Sequence, residues 1–428
     1  MMIATIIIAL VTFVTVTLSI LLFPKIKIGK ITISTYWIIA LVGAVILLSA
    51  SLSPIEEVYK QLISDNSINP LKIIVLFFSM TLISIFLDEV GLFRYLANVA
   101  AKKANNNQFA LFTIFYVLTA TLTIFTSNDI VILTFTPFIC FFCKNSKINP
   151  VPYLVMEFAA ANTWSLMLII GNPTNIYLAT SMNISFFEYF KVMAIPTLIS
   201  GVFLYCLLLL LFYKKLKTPL NVISNDYVIK NKVALFVGLS HLLVCLVFLI
   251  ISSYIHVEMW LISLITALSL LVFAIFMSIF TKKDWKYTTN TLKKLPYELI
   301  PFFLSMFVIV VAINYQGIAS KISEVLGNSN EVWTYGYSSF MASNLINNIP
   351  MSILYSNICS NKAMTYASIV GSNIGAFLTP IGALAGIMFT ELVNKHGIKY
   401  KFIEFVKYGL ITAIPVITVA LASLLITV

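Results

Sequence analysis

Charge is scarce in this sequence. Asp, Glu, Lys and Arg make up 10% of its 428 residues, against roughly 25% in soluble domains. That excludes one large water-soluble core, and a 60% hydrophobic content indicates a polytopic membrane protein resident in a lipid bilayer. The charge that is present leans basic, 27 Lys and Arg against 16 Asp and Glu for a net +11. No basic helix with interleaved aromatics accompanies it, so nucleic acid is not expected as a partner. The excess reads instead as the Lys and Arg surplus of cytoplasmic loops. Histidine is limited to three residues, too few for a metal triad. Walker A, HExxH and GxSxG patterns are missing, so the chain does not read as an enzyme. No cofactor and no metal are expected, and the driving energy has to come from an ion gradient or an external subunit. The cysteines Cys140, Cys143, Cys206, Cys245 and Cys359 lie in or beside apolar segments. Their spacing builds no zinc site, and the CxxC at 140–143 lacks the strand-then-helix setting of a redox motif. They read as small buried hydrophobes. The N-terminus has neither a positive leader nor a small-residue cleavage site, so residues 3–23 read as a retained first span.

What is there is a series of apolar runs near the length of about 20 residues that a span needs. Spans are predicted at 3–23, 31–52 and 71–90. The loop with Lys25, Lys27 and Lys30 goes inside, the loop with Glu56, Glu57 and Asp65 outside, and Arg94, Lys102 and Lys103 inside again. Residues 109–143 have basic flanks at both ends and Ser127-Asn128-Asp129 near the middle, which predicts a re-entrant hairpin. Residues 151–183 cross outward and are broken at Gly171–Asn175, where Gly and Pro interrupt the helical ladder. A span at 188–213 returns to Lys214, Lys215 and Lys217.

The order then recurs: spans at 232–252 and 258–280, a basic inner loop at 281–294 and a span at 296–316. A second hairpin follows at 332–358 with its tip at 344–350, then a broken span at 365–391 and a last span at 404–428. The expected fold is an all-α polytopic membrane protein, with about ten transmembrane helices plus two re-entrant hairpins in two inverted repeats with broken helices. The domains are an N-terminal half at 1–213, a cytoplasmic linker at 214–231 and a C-terminal half at 232–428. The location is the cell membrane, multi-pass, with both termini outside. In the second topology open to the sequence, each hairpin is two full spans.

Non-helical backbone at membrane depth is tolerated only where it is buried in protein or lines a wet cavity. The breaks are therefore the candidate site. Ser127, Asn128, Asn344, Asn347 and Asn348 supply neutral donors and acceptors at the tips. Asn172, Thr174 and Asn175, with Ser372, Asn373 and Thr379, supply them at the broken spans. Such a site suits a small hydroxylated or weakly charged solute, with H⁺ or Na⁺ as coupling ion. Asp129 is the sharpest residue. An ionisable group in a membrane segment costs about 2.5–3.5 kcal/mol even on the lenient insertion scale, which points to proton coupling; helix capping is the plainer role compatible with it. Asp88 and Glu89 at the end of the third span read as a solvated acidic pair or a second proton relay. Glu157 reads as interface structure and His241 as a hydrogen-bonded helix-packing histidine.

LISIFLDEVGLFRYLA (82–97), TSNDIVILTFTP (126–137), NLINNIP (344–350) and GSNIGAFLTPIGALAGIMF (371–389) resemble the ArsB-type arsenite efflux permeases of the ion transporter superfamily. That superfamily also contains sodium/proton antiporters, citrate carriers and divalent-anion/sodium symporters. The resemblance covers nearly the whole chain. The family's SND tip falls on Ser127, Asn128 and Asp129, its second tip on Asn347, Asn348 and Pro350, and its TPIG segment on Thr379 to Gly382. GNPTNIYL (171–178) is instead similar to the GxPxN break of the wider superfamily, and Asn373-Ile374-Gly375-Ala376 replaces an Asp-Leu-Gly-Pro stretch. The resemblance implies a secondary transporter that exports arsenite or antimonite against protons. A soluble ATPase subunit, docked on the basic inner loops such as 281–294, and a homodimer are the macromolecular partners it leaves open. Two alternatives stay open: a sodium-coupled importer of a di- or tricarboxylate, or other anion symporter, and a sodium/proton antiporter using Asp88, Glu89 and Asp129.

Overall fold

The computed structural model describes residues 1–28, 31–63, 69–218, 228–252, 254–281, 286–327 and 329–428. Helix α1 (Met2–Leu22) leads into two paired strands, β1 (Lys25–Ile28) and β2 (Ile31–Ser34), with Lys25 opposite Ser34 and Ile28 opposite Ile31. The predicted span at 31–52 is corrected here. Residues 31–34 alternate apolar and polar and pair as a strand, so helix α2 spans Thr35–Ser49. Lys30, Asp65, Lys282, Lys283 and the stretch 219–227 of the expected linker lie outside the described residues.

The remaining helices come in a recurring order. A long helix α4 (Pro70–Val90), preceded by short α3 (Ile55–Ile63), is followed by short α5 (Leu92–Lys103). A helical pair α6 (Gln108–Phe125) and α7 (Asn128–Asn145) comes next. An interrupted pair α8 (Val151–Trp164) and α9 (Pro173–Ser181) follows, and then long α10 (Phe186–Leu216). After α11 (Lys232–Ile251), α12 (Met259–Thr281) and short α13 (Lys286–Lys294), the same order returns. It runs α14 (Leu299–Tyr315), α15 (Ile318–Leu326), α16 (Glu331–Ile346), α17 (Asn348–Ile358), α18 (Lys362–Gly375), α19 (Leu384–Lys395) and α20 (Phe402–Leu424).

Local chemistry places these boundaries. Asn69 caps α4 by accepting from the Leu71 and Lys72 amides ahead of Pro70, a start that fixes φ and satisfies free N–H groups. Gly91 ends α4 in the left-handed conformation at φ 97°, and Gly317 does the same between α14 and α15 at φ 70°, where a Cβ would be strained. Asn107, Ser127, Asn172, Ser185, Asn231, Asn347 and Asn361 each accept a backbone N–H at the start of a helix.

Eight helical stretches among the described residues are long and apolar enough to cross a membrane: Met2–Ile20, Pro70–Val90, Gln108–Phe125, Phe186–Leu216, Lys232–Ile251, Met259–Met277, Tyr287–Tyr315 and Phe402–Leu424. The outer faces are apolar, with Leu210 77% and Phe236 72% exposed. The centre is built differently. Helices α18 and α16 approach closely: a Cβ at Gly371 would collide with Ser339 Oγ and the Gly336 carbonyl, and one at Gly375 with Ser343 Oγ. Small residues at four-residue spacing are what allow such an approach inside a membrane. The second arm of each pair crosses to the other set, α7 packing on α19 and α17 on α9.

Candidate functional site

Ser127 is extended at φ −162° and its Oγ accepts the Ile130 amide at 3.4 Å, so α7 starts inside the protein with its amides facing inward. Successive helical residues point about 100° apart, which separates Asn128 from Asp129. Asn128 turns to α8 and donates from Nδ2 to Asn162 Oδ1 at 3.0 Å. Asp129 turns away into a cavity of about 480 Å³, lined also by Thr81, Leu133, Met388 and the Lys294–Leu299 turn. Lys25, Lys294, Glu298 and Glu391 also line this cavity, each bonded to a partner. Lys25 pairs with Glu391, Ser34 bonds Glu298 through N at 3.0 Å and Oγ at 2.5 Å, and Lys294 binds Glu89 and also Asp88 at 3.4 Å. Asn290 Nδ2 donates to Glu89 at 2.9 Å. Asp88 and Glu89 are thus joined to a lysine about 200 positions away, one that lines the same cavity as Asp129.

The first interrupted pair is held by side chains. Asn172 Oδ1 accepts the Thr174 amide at 3.1 Å and hydroxyl at 3.0 Å. Asn175 Nδ2 donates to the Ser165 carbonyl at 2.8 Å. Asn373 reaches across from α18: its Oδ1 accepts from Ser165 Oγ at 2.7 Å and Asn172 Nδ2 at 3.0 Å, and its Nδ2 donates to Asn175 Oδ1 at 2.6 Å. Ser372 Oγ donates to Thr174 Oγ1 at 3.0 Å. All of these residues are buried.

The second break is held mainly by its own tip. Asn344 Nδ2 donates to the carbonyls of Phe340 at 2.9 Å and Gly375 at 3.0 Å, and its Oδ1 accepts from Thr379 Oγ1 at 2.6 Å. Asn347 sits at φ 72° and donates to the Ile381 carbonyl at 3.0 Å, while the Asn348 amide bonds the Gly382 carbonyl at 3.0 Å.

The predicted residues therefore fall into three sets. Asn172, Thr174, Asn175, Ser372 and Asn373 form one network; Asn344, Asn347 and Thr379 form another; Asp129 faces the cavity. Among the predicted residues, two side-chain oxygens stay buried without a partner, Asn128 Oδ1 and Asn348 Oδ1, at the first residues of α7 and α17. Two network members were not anticipated. Ser165 and Asn162 sit in AANTWS, which carries no break signal. The available clue is positional: Asn162 stands eleven residues after the start of α8, as Asn373 does after the start of α18. Glu157 is fully buried, with both carboxyl oxygens 2.9 Å from Thr136 Oγ1. His241 bonds the Val237 carbonyl at 2.8 Å and Ser269 Oγ at 3.3 Å.

A family model described as "Citrate transporter" (CitMHS) matches residues 20–367. The arsenical pump membrane protein of Escherichia coli strain K12 is 27% identical over 376 residues, 81% of this chain and 84% of that protein. The putative arsenical pump membrane protein of Bacillus subtilis strain 168 is 23% identical over 367 residues, 77% and 81% of the two chains. The crystal structure of the Alcanivorax borkumensis YdaH transporter is similar at a TM-score of 0.55 and 13% identity, covering 99% of this chain and 97% of that one; the likeness is one of fold. This multi-pass membrane chain belongs to the citrate transporter family, secondary transporters of the ion transporter superfamily and not enzymes.

Proposed function

We propose that the protein exports small uncharged trihydroxy solutes, the acids of trivalent arsenic and antimony, across the cell membrane in exchange for protons. One observation carries this: the side chains joined across the breaks are all amides and hydroxyls, and Asp129 in the first turn of α7 faces a cavity with no ion-pair partner among the described residues. Neutral donors and acceptors match a neutral hydroxylated solute, and a lone carboxylate exchanging a proton supplies the coupling. The arsenical pump relatives support the same solute.

In this reading α6–α7 and α16–α17 are re-entrant hairpins entering from opposite faces. The eight long apolar stretches less Gln108–Phe125, with α2 and the two interrupted pairs, make the ten crossings. Residues 1–213 and 232–428 are the inverted halves, with Lys25 and Lys294 inside and both termini outside. Asn128 and Asn348 bind solute or ion, and the two networks brace the breaks around it.

A second reading, sodium-coupled carboxylate import, is favoured by the orphan Asn128 and Asn348 oxygens, which suit a cation, and by the family's description. The test is purified protein in liposomes. Arsenite should accumulate under a pH gradient without sodium. Citrate movement under a sodium gradient, with arsenite immobile, would overturn the proposal in favour of the second reading.

A further inference from the structure

The molecule contains a second cavity, of about 250 Å³, at the far end of α14. Leu299 lines the Asp129 cavity and Asn314 lines this one. Fifteen residues of helix separate them, about 22 Å. The two cavities are built from matching positions. Thr81 stands ten residues before Gly91 and Phe307 ten before Gly317. Leu133 stands five residues after the start of α7 and Ile353 five after that of α17. Met388 stands four residues after the start of α19 and Tyr177 four after that of α9. The first of each of these combinations with α4, α7 and α19 lines the larger cavity, and the counterparts on α14, α17 and α9 line the smaller.

The chemistry does not repeat. Asp129 has Ile349 as its counterpart, and Asp88 has Asn314. The described lining of the smaller cavity has no charged residue; its polar groups are Gln61, Tyr177, Asn314 and Asn357. Asn314 Nδ2 donates to Asn357 Oδ1 at 3.3 Å, and Asn357 Nδ2 to the Ile353 carbonyl at 3.1 Å. Three carboxamides and a phenol lining one chamber favour a neutral hydroxyl-bearing molecule over an anion, since an anion there would have no cation among the described lining to offset its desolvation.

We infer that this cavity, lined by Tyr177, Asn314 and Asn357, is the outer solute-binding chamber of the transport path, and that it takes a small uncharged polyhydroxy solute. It rests on the transporter reading above and adds a division of labour: the inner chamber is lined by ionisable groups, and the outer one binds the solute with neutral groups.

The test has two arms. In a Cys206→Ser background, which removes the exposed thiol, Ile353→Cys and Leu133→Cys are labelled with a membrane-impermeant maleimide in right-side-out and inside-out vesicles. Ile353→Cys should react at least tenfold faster from the outer face and Leu133→Cys at least tenfold faster from the inner face. An Ile353→Cys thiol that reacts from neither face, or equally from the inner one, would overturn the chamber. This arm needs no substrate, so it decides the chamber even if wild-type protein moves no arsenite and the functional reading falls. In the second arm, Asn314→Ala and Asn357→Ala should raise the KM for arsenite added outside at least tenfold more than the KM for arsenite added inside. Asn357→Ser serves where the alanine variant is not recovered folded. Equal changes on the two faces would overturn solute recognition there.

Discussion

The two breaks follow one backbone plan and are stabilised in different ways. Between α8 and α9 the chain is held by amides and hydroxyls of Asn172, Asn175 and Ser165, with Asn373 inserted from the opposite set. Between α18 and α19 the corresponding stretch is IGALAG; its Ile381 and Gly382 carbonyls are covered by Asn347 and the Asn348 amide, and Asn344 covers the Gly375 carbonyl at the end of α18. The first break is thus a polar joint between the two sets, and the second is a joint within one set. Near-symmetric folds can distribute chemistry unevenly, because a repeated backbone demands that polar groups be satisfied and does not dictate by which side chains.

Substitutions can break this contrast. Asn373→Ala should be the most damaging, because it strands Asn172 Nδ2 and Asn175 Oδ1 in a buried site. At about 1–3 kcal/mol per stranded group, a stability loss of about 3 kcal/mol or more is expected, read as a lowered thermal unfolding midpoint of detergent-solubilised protein. Asn344→Ala should follow at about 2 kcal/mol, since the Gly375 carbonyl loses its donor and Thr379 its acceptor. A larger effect for Asn344→Ala than for Asn373→Ala would reverse the contrast. Thr379→Val removes a single hydrogen bond to Asn344 and should cost about 1 kcal/mol in the same assay. Lys25→Ala belongs to neither joint. Its pair with Glu391 is 43% and 47% exposed at the side chains, so the loss should stay below about 1 kcal/mol and vanish in high salt.

The sequence made the breaks legible because Gly, Pro and Asn are conspicuous within apolar runs: GNPTN and NLINNIP stand close to where α9 and α17 begin. It also put a helix boundary at Ser127-Asn128-Asp129, and Asp129 lies in the first turn of α7. It could not say which way that side chain turns, because Asn128 and Asp129 are adjacent and only the packing of α7 between α8 and α19 separates them. Ser165 and Asn162 were illegible for the reverse reason, being small polar residues in a helix that reads as continuous. The strand pair at 25–34 was hidden inside a basic loop and the start of a span, where a period of two is easily absorbed into an apolar run. The pairing of Asp88 and Glu89 with Lys294 joins positions too distant in sequence for spacing to connect.

The central claim is that Asp129 couples solute movement to protons while the neutral groups at the breaks handle the solute. Asp129→Asn in proteoliposomes tests it most directly. The account predicts that arsenite accumulation driven by a pH gradient is lost, while arsenite counterflow at equal pH persists. Gradient-driven accumulation at the wild-type level in Asp129→Asn would contradict it.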